Sequence, residues 1–122
     1  MPRFVVLEHR LPPSDARGLH WDLMLETPPM LRTWALSAAP ARQVDIAAEL
    51  LPPHRPEYLD YEGPVSGNRG TVERWDQGEF HWLSDEPDRV EVVFAGQRLE
   101  GRAMLERQAD TAQRWVFTWP EV

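Results

Sequence analysis

The sequence contains no cysteine. This absence excludes a disulfide framework, a thiolate zinc site and a cysteine nucleophile. No segment approaches the about 20 consecutive apolar residues that a membrane helix requires. The first residues, Met1-Pro2-Arg3-Phe4, carry a charge and lead into an apolar run too short for a signal peptide. We therefore expect a cytoplasmic protein with no membrane association.

Lysine is absent as well, so all 13 basic residues are arginines, against 20 acidic residues and a net charge of −7. Each of these arginines can hold a phosphate or carboxylate group through two hydrogen bonds. An acidic chain is a poor non-specific ligand for nucleic acid, because the neutralisation of phosphates drives such binding. Any contact with nucleic acid is therefore expected at a pocket or at a strand end.

A length of 122 residues fits one domain, predicted over residues 1–122, and 12 prolines and 7 glycines divide it into short segments. The pattern predicts a mainly β fold, a small closed or partly open antiparallel barrel of about eight strands with one short helix. The helix is predicted at Val44–Leu51, a loop at Gly63–Gly70, and hairpin turns at Asp76–Gly78 and Ala95–Gln97. The predicted strands are Arg3–His9, Leu19–Glu26, Leu31–Leu36, Thr71–Trp75, Gly78–Leu83, Arg89–Phe94, Arg98–Glu106 and Gln113–Trp119.

The segment His20-Trp21-Asp22 carries the first candidate chemistry. On a strand, His20 and Asp22 project from the same face about 6–7 Å apart. His9 ends the preceding predicted strand and lies near His20 if the two strands pair. A mixed nitrogen and oxygen ligand set suits Mn²⁺, Zn²⁺ or Fe²⁺ better than Ca²⁺. The alternative interpretation is a pair of half-buried histidines beside a surface carboxylate.

A second group of polar residues, His54, Arg55 and Tyr58, lies in a proline-bounded segment. Histidine is the usual general acid near neutral pH, and arginine and tyrosine hold phosphate oxygens. The alternative interpretation is a solvated loop capped by packed tyrosines. His81 and the six tryptophans are interpreted as structural residues rather than as a platform for stacked bases.

Several segments, taken in chain order, resemble the 3′-phosphoesterase domain found in bacterial DNA ligase D and as stand-alone proteins. They are Phe4–His9, Asp15–Glu26, Leu31–Leu36, His54–Gly63, Gly70–Gly78 and Gln97–Arg102. The resemblance implies a short member of that family, a β-barrel whose polar mouth binds Mn²⁺, with Zn²⁺ or another divalent ion as the alternative. It also implies DNA-repair activity on a nucleic-acid 3′ end, where members remove a 3′-terminal ribonucleoside and then a 3′-phosphate. A small phosphate ester is the other substrate class, and a repair ligase or polymerase is the implied partner.

The resemblance also implies a role for individual residues. It places the metal on His9, His20 and Asp22. It assigns contact with the scissile phosphate to His54, with Arg55 and Tyr58 beside it as catalytic residues. The phosphate-binding residues it implies are Arg17, His54 and Arg55.

Two departures from the family pattern bear on these assignments. Ten residues separate His9 from His20, more than in the family pattern, so an ungapped alignment places Ser14 at the first metal position. We prefer His9, because the run from Phe4 keeps its strand context and an inserted loop at Arg10–Ser14 explains the longer interval.

The second departure is a loss of polar groups around the expected phosphate. Met24 stands where the family has an arginine, and Ile46 and Pro52 stand at two further polar positions; Arg42 or Arg55 could compensate. If the pocket is otherwise intact, Met24→Arg is expected to strengthen phosphate binding by about 1.5–3 kcal/mol; the alternative is that Met24 is a packed core residue. Three functions therefore stay open: a phosphoesterase, a degenerate barrel that binds phosphorylated ends or small phosphate ligands, and a protein-interaction module.

Overall fold

A computed structural model describes residues 1–120 as an antiparallel β-barrel. Two four-stranded meanders, β1–β4 and β6–β9, are joined where β4 pairs with β9 and where β1 pairs with β6, so that the barrel closes. This confirms the predicted fold class. The strands are β1 (Arg3–Arg10), β2 (Leu19–Thr27), β3 (Met30–Leu36), β4 (Asp45–His54), β5 (Gly63–Pro64), β6 (Thr71–Glu86), β7 (Arg89–Gly96), β8 (Glu100–Arg107) and β9 (Arg114–Thr118). Among residues 1–120, no helix has the length and apolar character needed to cross a bilayer.

The barrel interior is filled by apolar side chains. Alternate residues of each strand point inward, and Phe4, Trp34, Phe80 and Phe117 are almost completely buried there. All six tryptophans either belong to this core or pack against it, as predicted. Because the interior holds packed side chains, functional groups must lie on the outer face or at the ends of the barrel.

The helix predicted at Val44–Leu51 is wrong, because all of this segment after Val44 belongs to strand β4. Ile46 and Ala48 are buried in the core, whereas Ala47 and Glu49 between and after them are exposed. That alternation has the period of a strand, and β4 pairs with β3 on one side and β9 on the other. Within residues 1–120 the one helical segment is a four-residue 3-10 turn, Pro56–Leu59.

The hairpin turn predicted at Asp76–Gly78 is also wrong, because the two strands predicted around it form the single long strand β6. Buried Asp76 instead accepts hydrogen bonds from the backbone N–H groups of Gln97, Arg98 and Leu99, at 2.7–3.1 Å. The carboxylate thus caps the β7–β8 turn, close to the turn predicted at Ala95–Gln97. The Asp76 and Gly78 pair, which resembles a turn in the sequence, thus makes contacts with neighbouring chain segments and does not reverse the chain.

The connection between β4 and β6 positions the functional side chains. β4 and β6 are separated by three strands in either direction around the barrel. The segment from residue 55 to residue 70 runs over the outer faces of β3, β2 and β1, because its Leu59 and Val65 pack there. It covers a second apolar cluster outside the barrel. The members of that cluster are Val5, Leu7, Met24, Leu31, Leu59, Val65 and Val72, with Tyr58 packed against them. The crossing creates a covered surface on an otherwise open barrel wall.

Candidate metal centre and phosphate-binding groove

Three side chains that could bind a metal ion meet on the outer face of β1 and β2. His9 and His20 are directly opposite each other in the paired strands, and Asp22 follows on the same face of β2. One ligand atom from each lies within 4.8 Å of the other two. The structure therefore brings together the residues predicted from strand pairing. It places them on the outer wall of the barrel, under the crossing segment, rather than in the barrel mouth.

The hydrogen bonds of this trio suit a bound cation. His9 Nε2 lies 2.7 Å from the carbonyl oxygen of Arg69 and donates to it, which leaves Nδ1 facing Asp22 Oδ2 at 3.1 Å. When the His9 ring is neutral, its Nδ1 and the Asp22 Oδ2 are both hydrogen-bond acceptors. Either a proton or a metal ion is therefore needed between these two atoms. His20 Nε2 is 3.0 Å from Asp22 Oδ1.

Asp22 Oδ1 is the strongest sign that a cation fits. Its distance to His20 Nε2 is short, but the two groups are not aligned as a hydrogen bond, and Oδ1 is buried without a hydrogen-bond partner among residues 1–120. The Asp22 side chain is only 3% exposed. A buried carboxylate oxygen without a donor is costly unless a cation compensates it. Two imidazoles and one carboxylate are a common donor set for a divalent transition metal.

The electrostatics of the trio favour an ionised carboxylate. Burial acts to raise the pKa of Asp22, but the adjacent His20 and His9 imidazoles outweigh it and lower that pKa below its usual value. Burial likewise acts to lower the pKa of His9, yet its bonds to Asp22 and to the Arg69 carbonyl raise it overall. Asp22 therefore carries its charge at neutral pH, which is the form that a metal ion requires.

The carbonyl group of Arg69 was not predicted as part of the site. It orients His9, and it reaches the ring because the loop that precedes β6 turns sharply through Gly67, Asn68 and Gly70, all with positive φ. A Cβ atom on Gly70 would collide with the carbonyl oxygen of Arg10. The turn-forming composition of this loop was visible in the sequence, but nothing in it indicated that the turn would meet His9.

A groove of about 470 Å³ opens beside the trio and collects the second predicted group. His9 and Asp22 line it together with His54, Arg55 and Tyr58. The groove therefore combines the predicted metal ligands with the predicted catalytic residues. His54 ends β4 and Tyr58 lies in the crossing segment that follows, so the two side chains reach the groove together.

His54 has a defined orientation in this groove. Its Nδ1 donates to the carbonyl oxygen of Pro52 at 2.9 Å, and its ring meets that of Tyr58 edge to face with centroids 5.7 Å apart. Nε2 is thus left as the ring nitrogen that can serve a ligand. Arg55 is 70% exposed and lies 3.7 Å from Glu57, so its guanidinium can turn toward the groove.

Arg17 lines the same groove and is held by Asp15. Its backbone N–H and two guanidinium nitrogens all donate to the Asp15 carboxylate, at 2.9–3.2 Å. These bonds lower the pKa of Asp15 to about 2. The connection between β1 and β2 therefore presents a positioned cation near the metal ligands. Ser14 is exposed in the same connection, whereas His9 is opposite His20.

The positions that depart from the family pattern are mostly packed. Met24 is 1% exposed and belongs to the outer apolar cluster, beneath the groove. Ile46 is buried in the barrel core. Arg42 stacks on Trp119 and donates to the carbonyl oxygen of Glu100, so it braces β8 and does not line the groove. Of the two arginines considered as replacements, Arg55 is the one at the groove.

Fold and site together define a class: a small closed antiparallel barrel with a candidate metal centre on its outer wall, beside a groove rich in arginine and histidine. The family model of the DNA ligase D 3′-phosphoesterase domain matches residues 13–107. The chain belongs to this family. The matched range includes His20 and Asp22 but begins after His9. His9 lies beside these two residues because β1 pairs with β2.

A similar curated protein is the multifunctional non-homologous end joining protein LigD of Pseudomonas aeruginosa. The two are 32% identical over 115 residues, which cover 86% of this chain and 13% of the relative. The chain thus spans a small part of that relative's length.

Proposed function

We propose that this protein is a metal-dependent phosphoesterase that acts on the 3′ ends of nucleic acid. The observation that carries the proposal is one groove lined by two members of the trio, His9 and Asp22, and by the candidate phosphate ligands His54 and Arg55. Family membership supports the reaction class, and the name of the relative, an end-joining protein, supports a role in end repair.

Each residue has a distinct role in this proposal. His9, His20 and Asp22 hold Mn²⁺ or another divalent ion, which when bound supplies positive charge to a phosphoryl group and makes a water molecule more acidic. His54 in its protonated form keeps its Nδ1–H on the Pro52 carbonyl oxygen and donates through Nε2–H a hydrogen bond to the developing negative charge or a proton to the leaving oxygen. Arg17 and Arg55 hold the non-bridging phosphate oxygens. Tyr58 packs against the His54 ring and restrains it.

Calorimetric titration with Mn²⁺ and Zn²⁺ tests the metal site. Wild type is expected to bind one ion with a dissociation constant in the micromolar range or below, and His20→Ala and Asp22→Ala are expected to abolish binding. Asp45→Asn, which removes an exposed carboxylate from β4, is the matched control and should bind normally. Equal binding by wild type and both site variants would show that the ligands are wrongly assigned.

Phosphate release from a 3′-phosphorylated DNA primer in Mn²⁺ tests the reaction. His54→Ala is expected to abolish turnover, since the groove then loses its candidate acid. His81→Ala is the matched control, because His81 is exposed on β6 and outside the groove. Turnover that survives His54→Ala would remove this histidine from the mechanism.

A second function, binding without turnover, is favoured by Met24. A buried thioether stands where the family places an arginine, so one cation is missing from the groove. This alternative would be supported if wild type binds a 3′-phosphorylated primer without hydrolysing it and the His54→Ala variant no longer binds it. Absence of both turnover and binding would leave a protein-interaction module.

A further inference from the structure

A second groove begins on the other side of His20 and is not used by the proposed chemistry. Its volume is about 630 Å³, and it crosses the outer faces of β2, β3 and β4 toward β9. Sites for small ligands commonly measure about 300–1,000 Å³. The groove is therefore large enough for a nucleoside.

Small side chains create this depression. Ala35 on β3 and Ala47 on β4 point outward, with Ser37 beside them. Because these side chains are small, the outer surface of the barrel is recessed there. Leu19 and Leu51 add apolar contact at the sides. The result is a smooth apolar floor on which the flat face of a base can pack.

Polar and charged side chains form the rim. Arg17 is held by Asp15 at one end, and Arg114 is held by Asp110 at 2.8 Å at the other. Guanidinium groups stack on bases and pair with phosphates. The remaining rim residues offer hydrogen-bonding groups for base edges and sugar hydroxyls. They are Glu49, Thr111 and Gln113.

The two grooves are continuous at the metal centre. Arg17 and Leu51 line both of them, and His20 is at once a member of the trio and a wall of the second groove. A phosphate group held beside the trio would therefore place its attached nucleoside at the entrance of the second groove.

We propose that this second groove binds the terminal nucleoside of the nucleic-acid strand whose 3′ phosphate lies at the metal centre. The inference rests on the proposed function, and it names what the protein recognises beyond the phosphate. A chain with net charge −7 is a poor non-specific ligand for a long strand. Recognition of one terminal nucleoside in a groove with an arginine at each end is consistent with that charge.

Ala47→Trp tests the groove by filling it. Strand spacing places Ala47 about 10 Å from His20, two strands away. Two substrates are compared in Mn²⁺, a 3′-phosphorylated oligonucleotide and a simple aryl phosphate that has no nucleoside. The variant is expected to raise KM for the oligonucleotide about tenfold or more and to leave kcat/KM for the aryl phosphate unchanged. Ala95→Trp, at an exposed alanine of β7, is the matched control.

Arg114→Ala provides a second test without added bulk. Arg114 is opposite Glu49, three strand spacings or about 14 Å from Asp22, so its removal does not disturb the metal ligands. It too is expected to raise KM for the oligonucleotide selectively. The proposal would be overturned if both variants lowered kcat/KM equally for the two substrates, or if neither variant raised KM for the oligonucleotide.

Binding measurements separate this proposal from the proposed function. Calorimetry compares a nucleoside 3′-monophosphate with inorganic phosphate. Tighter binding of the nucleotide that Ala47→Trp abolishes supports the groove, even if no metal binds and no turnover occurs. Equal binding of the two ligands in a protein that does hydrolyse phosphate overturns the groove and leaves the proposed function intact. Failure to bind either ligand overturns the groove proposal.

Discussion

At the scale of single residues, Asp22 shows how a polar group signals a ligand. It is buried on the outer wall of the barrel and ionised, and one of its carboxylate oxygens, Oδ2, faces His9 Nδ1 at 3.1 Å. Its second carboxylate oxygen is without a donor although His20 is adjacent. A structural aspartate such as Asp76, by contrast, accepts three backbone N–H groups. The difference between the two buried aspartates separates a candidate metal ligand from a turn cap.

Met24 gives the first prediction at this scale. Met24→Arg is expected to destabilise the fold by about 3 kcal/mol or more, because it places a charge in the buried outer cluster. Met24→Leu, which conserves volume, should cost less than about 1.5 kcal/mol. Urea denaturation measures both. A stable Met24→Arg protein that binds inorganic phosphate more tightly than wild type would show instead that the position faces the ligand.

Asp15 gives a prediction of pH dependence. Hydrogen bonds from Arg17 lower the pKa of Asp15 to about 2, from an ordinary value of 3.8. The pair therefore stabilises the folded state fully above about pH 3.8, and this contribution is lost as the pH falls through about 2. Carboxyl-carbon NMR is expected to show Asp15 titrating near 2 in wild type and nearer 3.8 in Arg17→Ala. A wild-type midpoint near 3.8 would mean that Arg17 is not held by this carboxylate.

At the scale of elements, the loop before β6 connects backbone geometry to the metal centre. Gly70 has a φ of 82° and lies against the backbone of Arg10, where a side chain would not fit. This close approach places the Arg69 carbonyl oxygen beside His9. The loop and the end of β1 therefore act together to orient one ligand.

Gly70→Ala is expected to cost more than about 2 kcal/mol and to weaken Mn²⁺ binding, because the loop must move away from β1. Gly67→Ala is the matched control: its φ is also positive, at 75°, but the space around it is open apart from the Arg69 side chain. Thermal denaturation and metal titration of both variants provide the measurement. Equal effects of the two substitutions would show that φ alone, and not the contact with Arg10, matters.

At the scale of the whole molecule, the barrel core and the candidate metal centre are separate. The core fills the interior, whereas the trio lies outside it on the wall. We therefore expect the protein to stay folded without metal, unlike a small domain whose only core is its metal site. A bound ion should add stability to a barrel that already exists.

The size of that effect follows from binding equilibria. Mn²⁺ at about 100 times its dissociation constant should stabilise the folded state by about 2.7 kcal/mol, which raises Tm by about 10 °C for a chain of this length. A chelator should return Tm to the metal-free value without unfolding the protein, and Asp22→Asn should show no shift. Unfolding on chelation would mean that the metal is structural.

The sequence by itself determined the local features of this protein. Strand alternation and turn residues predict most of the barrel, and pairing of the first two predicted strands puts His9 opposite His20. Residues 46–48 do not alternate in polarity, because Ile46, Ala47 and Ala48 are all apolar, and alanine and glutamate have high helix propensity. A helix is therefore the expectation for this segment. Residues 45–54 form a strand because β4 pairs with β3 on one side and with β9 on the other.

Only the tertiary structure decided where the candidate site lies. Closure of the barrel separates β4 from β6 by three strands, and the segment between them packs over the outer wall through Leu59 and Val65. The end of β4 and that crossing place His54 in the same groove as Asp22 and the Arg69 carbonyl against His9, so residues far apart in the chain meet. It also leaves the alanine-floored groove uncovered beside His20. Such contacts depend on the order of strands in the sheet, which local residue patterns do not encode.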